Sequence, residues 1–261
     1  AMAWYDAQME NHILTWSRTQ TIRVRNQLAR WVGGCVYCGG SGAACAFSPR
    51  LCAPCADKLT GLNVHRCGQC AVMLMTDDAL CWSCMQSPPA LRYVFAFADY
   101  HSVMQHLILN YKFHNMLHAA PVLADMLHAA LTLYAQHLSP DVIVPVPQFD
   151  GLTHMRGFVP LLHIVRQVDV QRLWLNPPQI QANAVIRLHH AHLQVSSAPE
   201  QRRQQIKNAF AAACDFTGQQ VLLIDDVYTT GATLNELARV CLEAGAKSVD
   251  ALVLARGRKV K

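Results

Sequence analysis

The fold is decided by Val221-Leu222-Leu223-Ile224-Asp225-Asp226-Val227-Tyr228-Thr229-Thr230-Gly231-Ala232-Thr233. The first four residues are apolar and predict a buried strand, 221–224, that ends at two carboxylates. A turn of small residues then opens a helix, which we expect over 232–244. Carboxylates can accept hydrogen bonds from ribose hydroxyls, and the free amides at the start of a helix can hold a phosphate. The stretch therefore predicts a site for a phosphorylated sugar.

Apolar segments around this stretch alternate between strand and helix patterns. Strands are predicted over 92–98, 142–147, 184–188, 221–224 and 249–254, and helices over 103–113, 121–137, 158–168 and 232–244. Strands that alternate with helices favour a mostly parallel sheet flanked by helices, so the predicted fold class is α/β. The P-loop pattern and the Gly-x-Gly-x-x-Gly pattern after a strand are both absent from the sequence, which argues against an ATPase or a dinucleotide-binding protein.

The composition limits the class of protein. Of the 261 residues, 52% are hydrophobic and 15% are charged, which predicts a packed core and excludes global disorder. The net charge of +5 permits a phosphate or nucleic acid ligand without requiring one. No apolar run reaches the roughly 18 residues of a membrane span, and no apolar targeting segment opens the sequence. We therefore expect a cytoplasmic protein.

Eight of the eleven cysteines form four Cys-x-x-Cys pairs. The pairs are Cys35/Cys38, Cys52/Cys55, Cys67/Cys70 and Cys81/Cys84. Each pair can direct two thiolates at one ion, and two pairs together form a tetrahedral zinc site. We expect two structural zinc ions, one bound by the first two pairs and one by the last two. The alternatives are a crossed pairing, Cys45 as a substitute ligand, and an iron–sulfur cluster.

Changes in composition divide the chain into three predicted parts. Residues 1–34 form an N-terminal helix that ends at two glycines, and residues 35–88 form a cysteine-rich double zinc-ribbon module. Pro88 and Pro89 mark the next boundary, and residues 89–261 form the α/β domain.

Residues 225–233 resemble the phosphoribosyl pyrophosphate (PRPP) motif of type I phosphoribosyltransferases. Together with the cysteine pairs they make the chain similar to the ComF/GntX family, whose members join a zinc module to this α/β domain. Further matches are Tyr111-Lys112-Phe113, Val144-Pro145-Val146-Pro147, Arg156-Gly157-Phe158, Gln194, Arg202 and Asn208-Ala209-Phe210. The resemblance implies that residues 89–261 form a phosphoribosyltransferase-like domain.

The resemblance also implies a role for each matching residue. Asp225 and Asp226 would contact the ribose hydroxyls, and the loop after them would hold the 5′-phosphate through Thr229, Thr230, Gly231, Ala232 and Thr233. The candidates for contacting pyrophosphate are Lys112, Pro147 and Arg156. Magnesium would arrive with PRPP and bridge its oxygens. The resemblance assigns no catalytic residue.

The function that the resemblance implies is DNA uptake in natural transformation. The expected partners are PRPP or a related ribose phosphate, single-stranded DNA, and proteins of the competence machinery. The implied location is cytoplasmic, with a peripheral position at the inner face of the membrane left open. Two alternatives stand beside this function: a phosphoribosyltransferase acting on an unknown acceptor, and a non-catalytic adaptor that senses PRPP.

The sequence departs from the family pattern at Val159-Pro160, Ser197-Ala198 and Gln205. These departures fall in loops expected to cover the ligand, so they favour binding over turnover.

Basic residues gather at two further places, and histidines at a third. The basic groups are Arg202, Arg203 and Lys207, and then Arg256, Arg258, Lys259 and Lys261. Such groups can bind single-stranded DNA by neutralising its phosphates, or can form solvated surface. The histidines are His189, His190 and His192, whose spacing fits no standard metal site.

Overall fold

The computed structural model describes residues 34–62, 64–114, 116–148, 158–188 and 209–257. Several sequence predictions lie outside these residues. They are the N-terminal helix, Arg156, the histidine group at 189–192, the basic group at 202–207 and the last four residues of the chain.

A parallel sheet forms the centre of the fold. Its strands, in the order in which they lie side by side, are β1 (Val94–Asp99), β7 (Ser248–Arg256), β6 (Gln220–Tyr228), β2 (Val142–Pro145) and β3 (Gln179–Ile180). Each neighbouring pair is parallel. The central strands are apolar and buried along most of their length because helices cover a parallel sheet on both faces. All the carboxyl ends meet at one edge, where open α/β sheets bind their ligands.

The helices of the described residues connect and cover these strands. They are α1 (Ala53–Ala56), α2 (Trp82–Gln86), α3 (Ser102–Phe113), α4 (Ala120–Tyr134), α5 (Pro160–Val165) and α6 (Ala232–Glu243). Helix α4 packs on β1 and β7, and α6 packs on β6 and β7. None of the helices in the described part of the chain has both the length and the hydropathy needed to cross a membrane.

The α/β class is confirmed, but two strand predictions need correction. Strand β6 does not end at Ile224; it continues to Tyr228, because β7 runs on beside it and pairs Arg256 with Tyr228. The segment predicted at 184–188 is a strand, β4 (Val185–Arg187), but it pairs with β5 (Phe210–Ala212) in a separate antiparallel ribbon. The predicted helices 121–137 and 158–168 are shorter, since α4 ends at Tyr134 and α5 covers only Pro160–Val165.

The cysteine-rich residues 34–88 contact the sheet at both ends of β1. The amide of Val94 donates to the Gly68 carbonyl at 2.7 Å, and the amide of Asp99 donates to the Thr60 carbonyl at 2.8 Å. Arg66 adds a side-chain link, because its guanidinium donates to an Asp99 carboxylate oxygen at 2.8 Å. These contacts hold the cysteine region along β1, and those of Asp99 place part of it at the carboxyl edge of the sheet.

Candidate functional site

Asp225 and Asp226, which we call the acid pair, lie within the carboxyl-terminal half of strand β6 rather than after its end. Asp226 is buried at 6% exposure, and its backbone amide donates to a carboxylate oxygen of Asp225 at 2.9 Å. Burial, followed by the adjacent Asp226 carboxylate, raises the pKa of Asp225 to about 7. The two adjacent carboxyl groups therefore form a local cluster of hydrogen-bond acceptors, and the raised pKa belongs to Asp225.

Lys112 supplies the positive charge that faces this pair. It lies in the last turn of α3, and its ammonium forms an ion pair with Asp226. Burial opposes the charge on Lys112, but Asp226 and then Asp225 raise its pKa above the ordinary value. Tyr100, just after β1, lies close enough to interact with both charges. Its pKa is raised, chiefly by burial; Lys112 opposes this shift and Asp226 adds to it. Tyr100 is a site residue that sequence reasoning missed.

The loop after the acid pair requires its glycine. Gly231 has φ of +79° and stands at the N-cap of α6, so the loop turns through the left-handed region there. A Cβ at this position would come within 2.0 Å of the Tyr228 hydroxyl oxygen. The amide of Ala232 approaches the Thr230 hydroxyl at 3.4 Å. The loop therefore packs on the Tyr228 ring and presents the start of α6, whose amides and dipole favour an anion.

Arg256 supports the same loop from behind. Its Nη1 donates to the carbonyls of Tyr228 and Thr229, both at 2.9 Å, and also to the carbonyl of Gly257. Its guanidinium lies 4.8 Å from the centre of the Tyr228 ring. The side chain is buried, so the sequence expectation that placed Arg256 in a basic surface group is wrong. The pattern that could have revealed it is its place at the end of an apolar strand.

Of the three candidates for contacting pyrophosphate, the structure describes Lys112 and Pro147. Pro145 pairs in register with Ile224, so Pro147, two residues further on, leaves the sheet beside the acid pair. The amide of Val146 donates to the Ile224 carbonyl at 2.9 Å and holds this exit in place. Arg156 lies outside the described residues. The structure thus brings together Lys112, the acid pair, the exit of β2 and residues 229–233, which we call the phosphate loop after the ligand that the sequence predicts there.

Two groups of four cysteines form candidate metal centres. We call Cys35, Cys38, Cys52 and Cys55 tetrad A, and Cys67, Cys70, Cys81 and Cys84 tetrad B. Within each tetrad the sulfur atoms lie within 4.8 Å of one another, so each could hold a metal ion. The grouping follows the order of the sequence, as expected, and not the crossed arrangement. Cys45 stands apart from tetrad A, and its thiol donates to the Ser48 carbonyl at 3.4 Å.

The thiols of tetrad B perturb one another strongly. The hydrogen bond from Cys70 lowers the pKa of Cys67 to about 4, and the same contact raises the pKa of Cys70. Four sulfur atoms that already lie within 4.8 Å of one another need little rearrangement to bind a thiophilic cation such as zinc.

Comparison with known proteins places this chain in a family. The phosphoribosyl transferase domain model matches residues 115–260. Competence protein F of Haemophilus influenzae is 29% identical over 232 residues, which are 85% of this chain and 96% of that protein. The DNA utilization protein YhgH of Escherichia coli K12 is 31% identical over 215 residues, which are 79% of this chain and 90% of that protein.

The chain belongs to the ComF family of phosphoribosyl transferase domain proteins. A more distant relative, competence protein ComFC of Bacillus subtilis, is 25% identical over 225 residues, covering 79% of this chain and 84% of that protein. The ComF chain thus carries a phosphoribosyl transferase domain, two cysteine tetrads that could bind metal, and relatives named for competence and DNA use.

Proposed function

We propose that this ComF family member binds PRPP, or a related ribose phosphate, at the carboxyl edge of its sheet and serves DNA uptake in natural transformation. One observation carries the ligand: the acid pair of β6 leads directly into a glycine turn that presents the start of α6. Asp225 and Asp226 would accept hydrogen bonds from the ribose hydroxyls. Thr229 to Thr233 would surround the 5′-phosphate, which is the anion that a helix start favours.

The charges around the acid pair support a ligand that also carries a pyrophosphate group. Two adjacent carboxylates repel an anion, so the pyrophosphate end of PRPP needs cations beside them. Lys112 already stands there, Pro147 leads into the neighbouring loop, and Arg156 is the further candidate from the sequence. Magnesium would complete the neutralisation by bridging ligand oxygens, as it does for other phosphate ligands.

We further propose structural zinc in both tetrads. Four thiolates fill the coordination sphere of zinc and leave no open position for a substrate, so the metal would stabilise the local fold. On this basis we propose the three-part organisation of 1–34, 35–88 and 89–261, in which the zinc module is an attached binding surface. The proposed location is cytoplasmic, where incoming DNA and competence proteins would be met.

The relatives supply the support for the DNA role. Their names, competence protein F and DNA utilization protein YhgH, tie the family to the uptake and use of DNA. Single-stranded DNA is the proposed form, because basic groups outside the described residues could neutralise its phosphates. Transfer of phosphoribose to an acceptor is the second candidate function; Lys112 beside the acid pair favours it, because such a cation could stabilise departing pyrophosphate.

Calorimetry of the full-length protein with PRPP and magnesium tests the ligand. Asp225→Asn should abolish measurable binding because it removes one acceptor with little change in volume. The matched control is Asp141→Asn, which alters a carboxylate at the opposite edge of the same sheet, where it accepts from the Gln220 amide. Binding that survives in Asp225→Asn would overturn the proposed site. Release of pyrophosphate from PRPP, measured with the same samples, would favour the transferase.

Binding of a labelled oligonucleotide tests the DNA role. Affinity for single-stranded DNA should fall about tenfold or more between about 50 and about 200 mM salt. Binding to phosphates is driven by the release of counterions, which higher salt makes less favourable. Asp225→Asn should leave it unchanged. Absence of binding at the lower salt concentration, where phosphate contacts are strongest, would contradict the DNA role while leaving the PRPP site intact.

A further inference from the structure

Arg256 connects two places that the proposed function treats separately. Its Nε donates to the carbonyl of Cys70 at 2.7 Å, and Cys70 is a member of tetrad B. Its Nη1 donates to the carbonyls of Tyr228 and Thr229, which begin the phosphate loop. One planar guanidinium therefore bonds the backbone of a candidate metal centre and the backbone of a candidate ligand loop.

Arg256 is also a buried cation without a carboxylate partner among the described residues. The residue is 3% exposed, and no acidic side chain in the part of the chain that the structure describes forms an ion pair with it. Its Nη2 is buried and has no hydrogen-bond partner there. A buried charge without a partner is costly, so a compensating anion is expected nearby.

Tetrad B can supply that anion. A divalent ion bound by four thiolates is a doubly negative centre. Tyr228, which lies under the Arg256 guanidinium, is close enough to tetrad B to respond to it: burial first, and then Cys70, raise the pKa of its hydroxyl. The filled tetrad would thus place negative charge near the Nε of Arg256, which bonds the Cys70 carbonyl.

Tyr228 carries the connection to the loop. Its ring packs on the guanidinium, and its hydroxyl lies so close to Gly231 that an added Cβ would come within 2.0 Å. The amide of Gly257 also donates to the Tyr228 carbonyl at 2.8 Å, which fixes the strand end from its other side. A displacement of Arg256 would therefore move the surface on which Gly231 rests.

We propose that Arg256 is a positioning residue through which metal occupancy of tetrad B controls the shape, and hence the ligand affinity, of the phosphate loop. Tetrad A lacks such a link in the described residues, so the two metal centres differ in role: tetrad A stabilises its own region, and tetrad B also tunes the ligand site. The effect on affinity rests on the proposed binding of PRPP, whereas the effect on loop shape does not.

Matched cysteine variants of the full-length protein test the proposal. Cys81→Ser and Cys38→Ser each remove the most exposed member of one tetrad, and metal analysis confirms the loss from each. Cys81→Ser should weaken PRPP binding about fivefold or more, which is within the usual range of coupling between sites. Cys38→Ser should leave the affinity unchanged. Equal losses in the two variants, or no loss in either, would overturn the proposal.

A second pair of variants covers the case in which Cys81→Ser fails to fold. Arg256→Lys keeps the charge but not the planar set of donors, and should weaken PRPP binding while both metals stay bound. The control is Arg66→Lys, because Arg66 also bonds a backbone carbonyl within the tetrad B region, that of Ala71 at 2.8 Å, without contacting the loop. Adding Cys81→Ser to Arg256→Lys should cause little further loss, since the link is already broken. Unchanged affinity in Arg256→Lys would contradict the proposal.

Hydrogen exchange separates this inference from the proposed function. In protein without ligand, the amides of 229–233 should exchange faster in Cys81→Ser than in Cys38→Ser or wild type. If wild type fails to bind PRPP, the proposed function is wrong, and the exchange result alone decides whether tetrad B positions the loop. Identical exchange in both cysteine variants would overturn the coupling.

Discussion

Lys112 is ion-paired with Asp226, so a mostly buried ammonium from the end of α3 holds the acid pair at the end of β6. The pair joins two elements that are distant in sequence and fixes the side wall of the candidate site. Among the described residues, it sets one positive charge against two adjacent carboxyl groups. Within the described part of the chain, Lys112 therefore sets the charge balance at the acid pair.

Lys112→Met should weaken PRPP binding about tenfold, which is the contribution of one charge-assisted hydrogen bond. Calorimetry at constant magnesium concentration measures the change. Lys247→Met is the control. Lys247 is exposed near the amino end of β7, so this substitution removes the same charge at a distance from the site. Equal affinity in Lys112→Met and wild type would mean that this lysine neutralises Asp226 without reaching the ligand.

Gly231→Ala should abolish ligand binding and destabilise the protein by more than Gly218→Ala does. Both glycines have positive φ, +79° and +75°, so alanine costs about 1–2 kcal/mol of backbone strain at either place. A Cβ at Gly218 meets no atom within 4 Å, whereas one at Gly231 meets the Tyr228 hydroxyl. Urea unfolding and calorimetry on the two variants separate strain from the collision. Equal effects of the two substitutions would show that the contact with Tyr228 does not matter.

Asp225 should make stability depend on pH in a defined direction. Burial and the neighbouring Asp226 raise its pKa from 3.8 in the unfolded chain to about 7 in the fold. Between these values the folded chain holds a proton that the unfolded chain has released, so the free energy of unfolding falls as pH rises through this range.

Asp225→Asn should remove this part of the pH dependence, because asparagine stays neutral. Urea unfolding at several pH values measures the slope for wild type and the variant, with Asp141→Asn as the control. A wild-type slope that persists in Asp225→Asn would place its origin in other groups.

Metal analysis should find two zinc ions in each chain, one for each tetrad. Cys52→Ser should lower the content by one, because it removes a member of tetrad A. Cys45→Ala should leave both ions bound, since the Cys45 thiol bonds the Ser48 carbonyl instead of joining the tetrad. Loss of a zinc ion from Cys45→Ala would instead show that Cys45 is a zinc ligand. Iron in place of zinc would favour the iron–sulfur alternative.

Strong local patterns made much of the fold predictable. The repeated spacing of the cysteines predicted both tetrads in the observed order, and the apolar run before Asp225 predicted the central strand. The short strands β3 and β5 were not predicted, because two or three residues are too few for a period to appear. Their strand conformation comes from pairing with β2 and β4.

The contacts that shape the site were less predictable because they join distant parts of the chain. Sequence alone placed Arg256 with the exposed basic tail, since basic residues are rarely buried. Its burial depends on β7 lying between β6 and β1, with Cys70 near its end. The position of Tyr100 near Lys112 likewise depends on the direction in which α3 leaves the end of β1, since Lys112 lies in the last turn of that helix.

Strand β7, the last in sequence of the described strands, lies in the interior of the sheet, between β1 and β6. During synthesis, β1 therefore has no sheet neighbour among the described strands until residues 248–256 have left the ribosome. Contacts of such long sequence separation form late because closing the intervening loop costs entropy. A chain released before Ser248 would hold two unjoined parts of a sheet, with the edges of both β1 and β6 open to other chains. Copies that lack β7 should thus aggregate, so the solubility of this protein depends on the strand Ser248–Arg256.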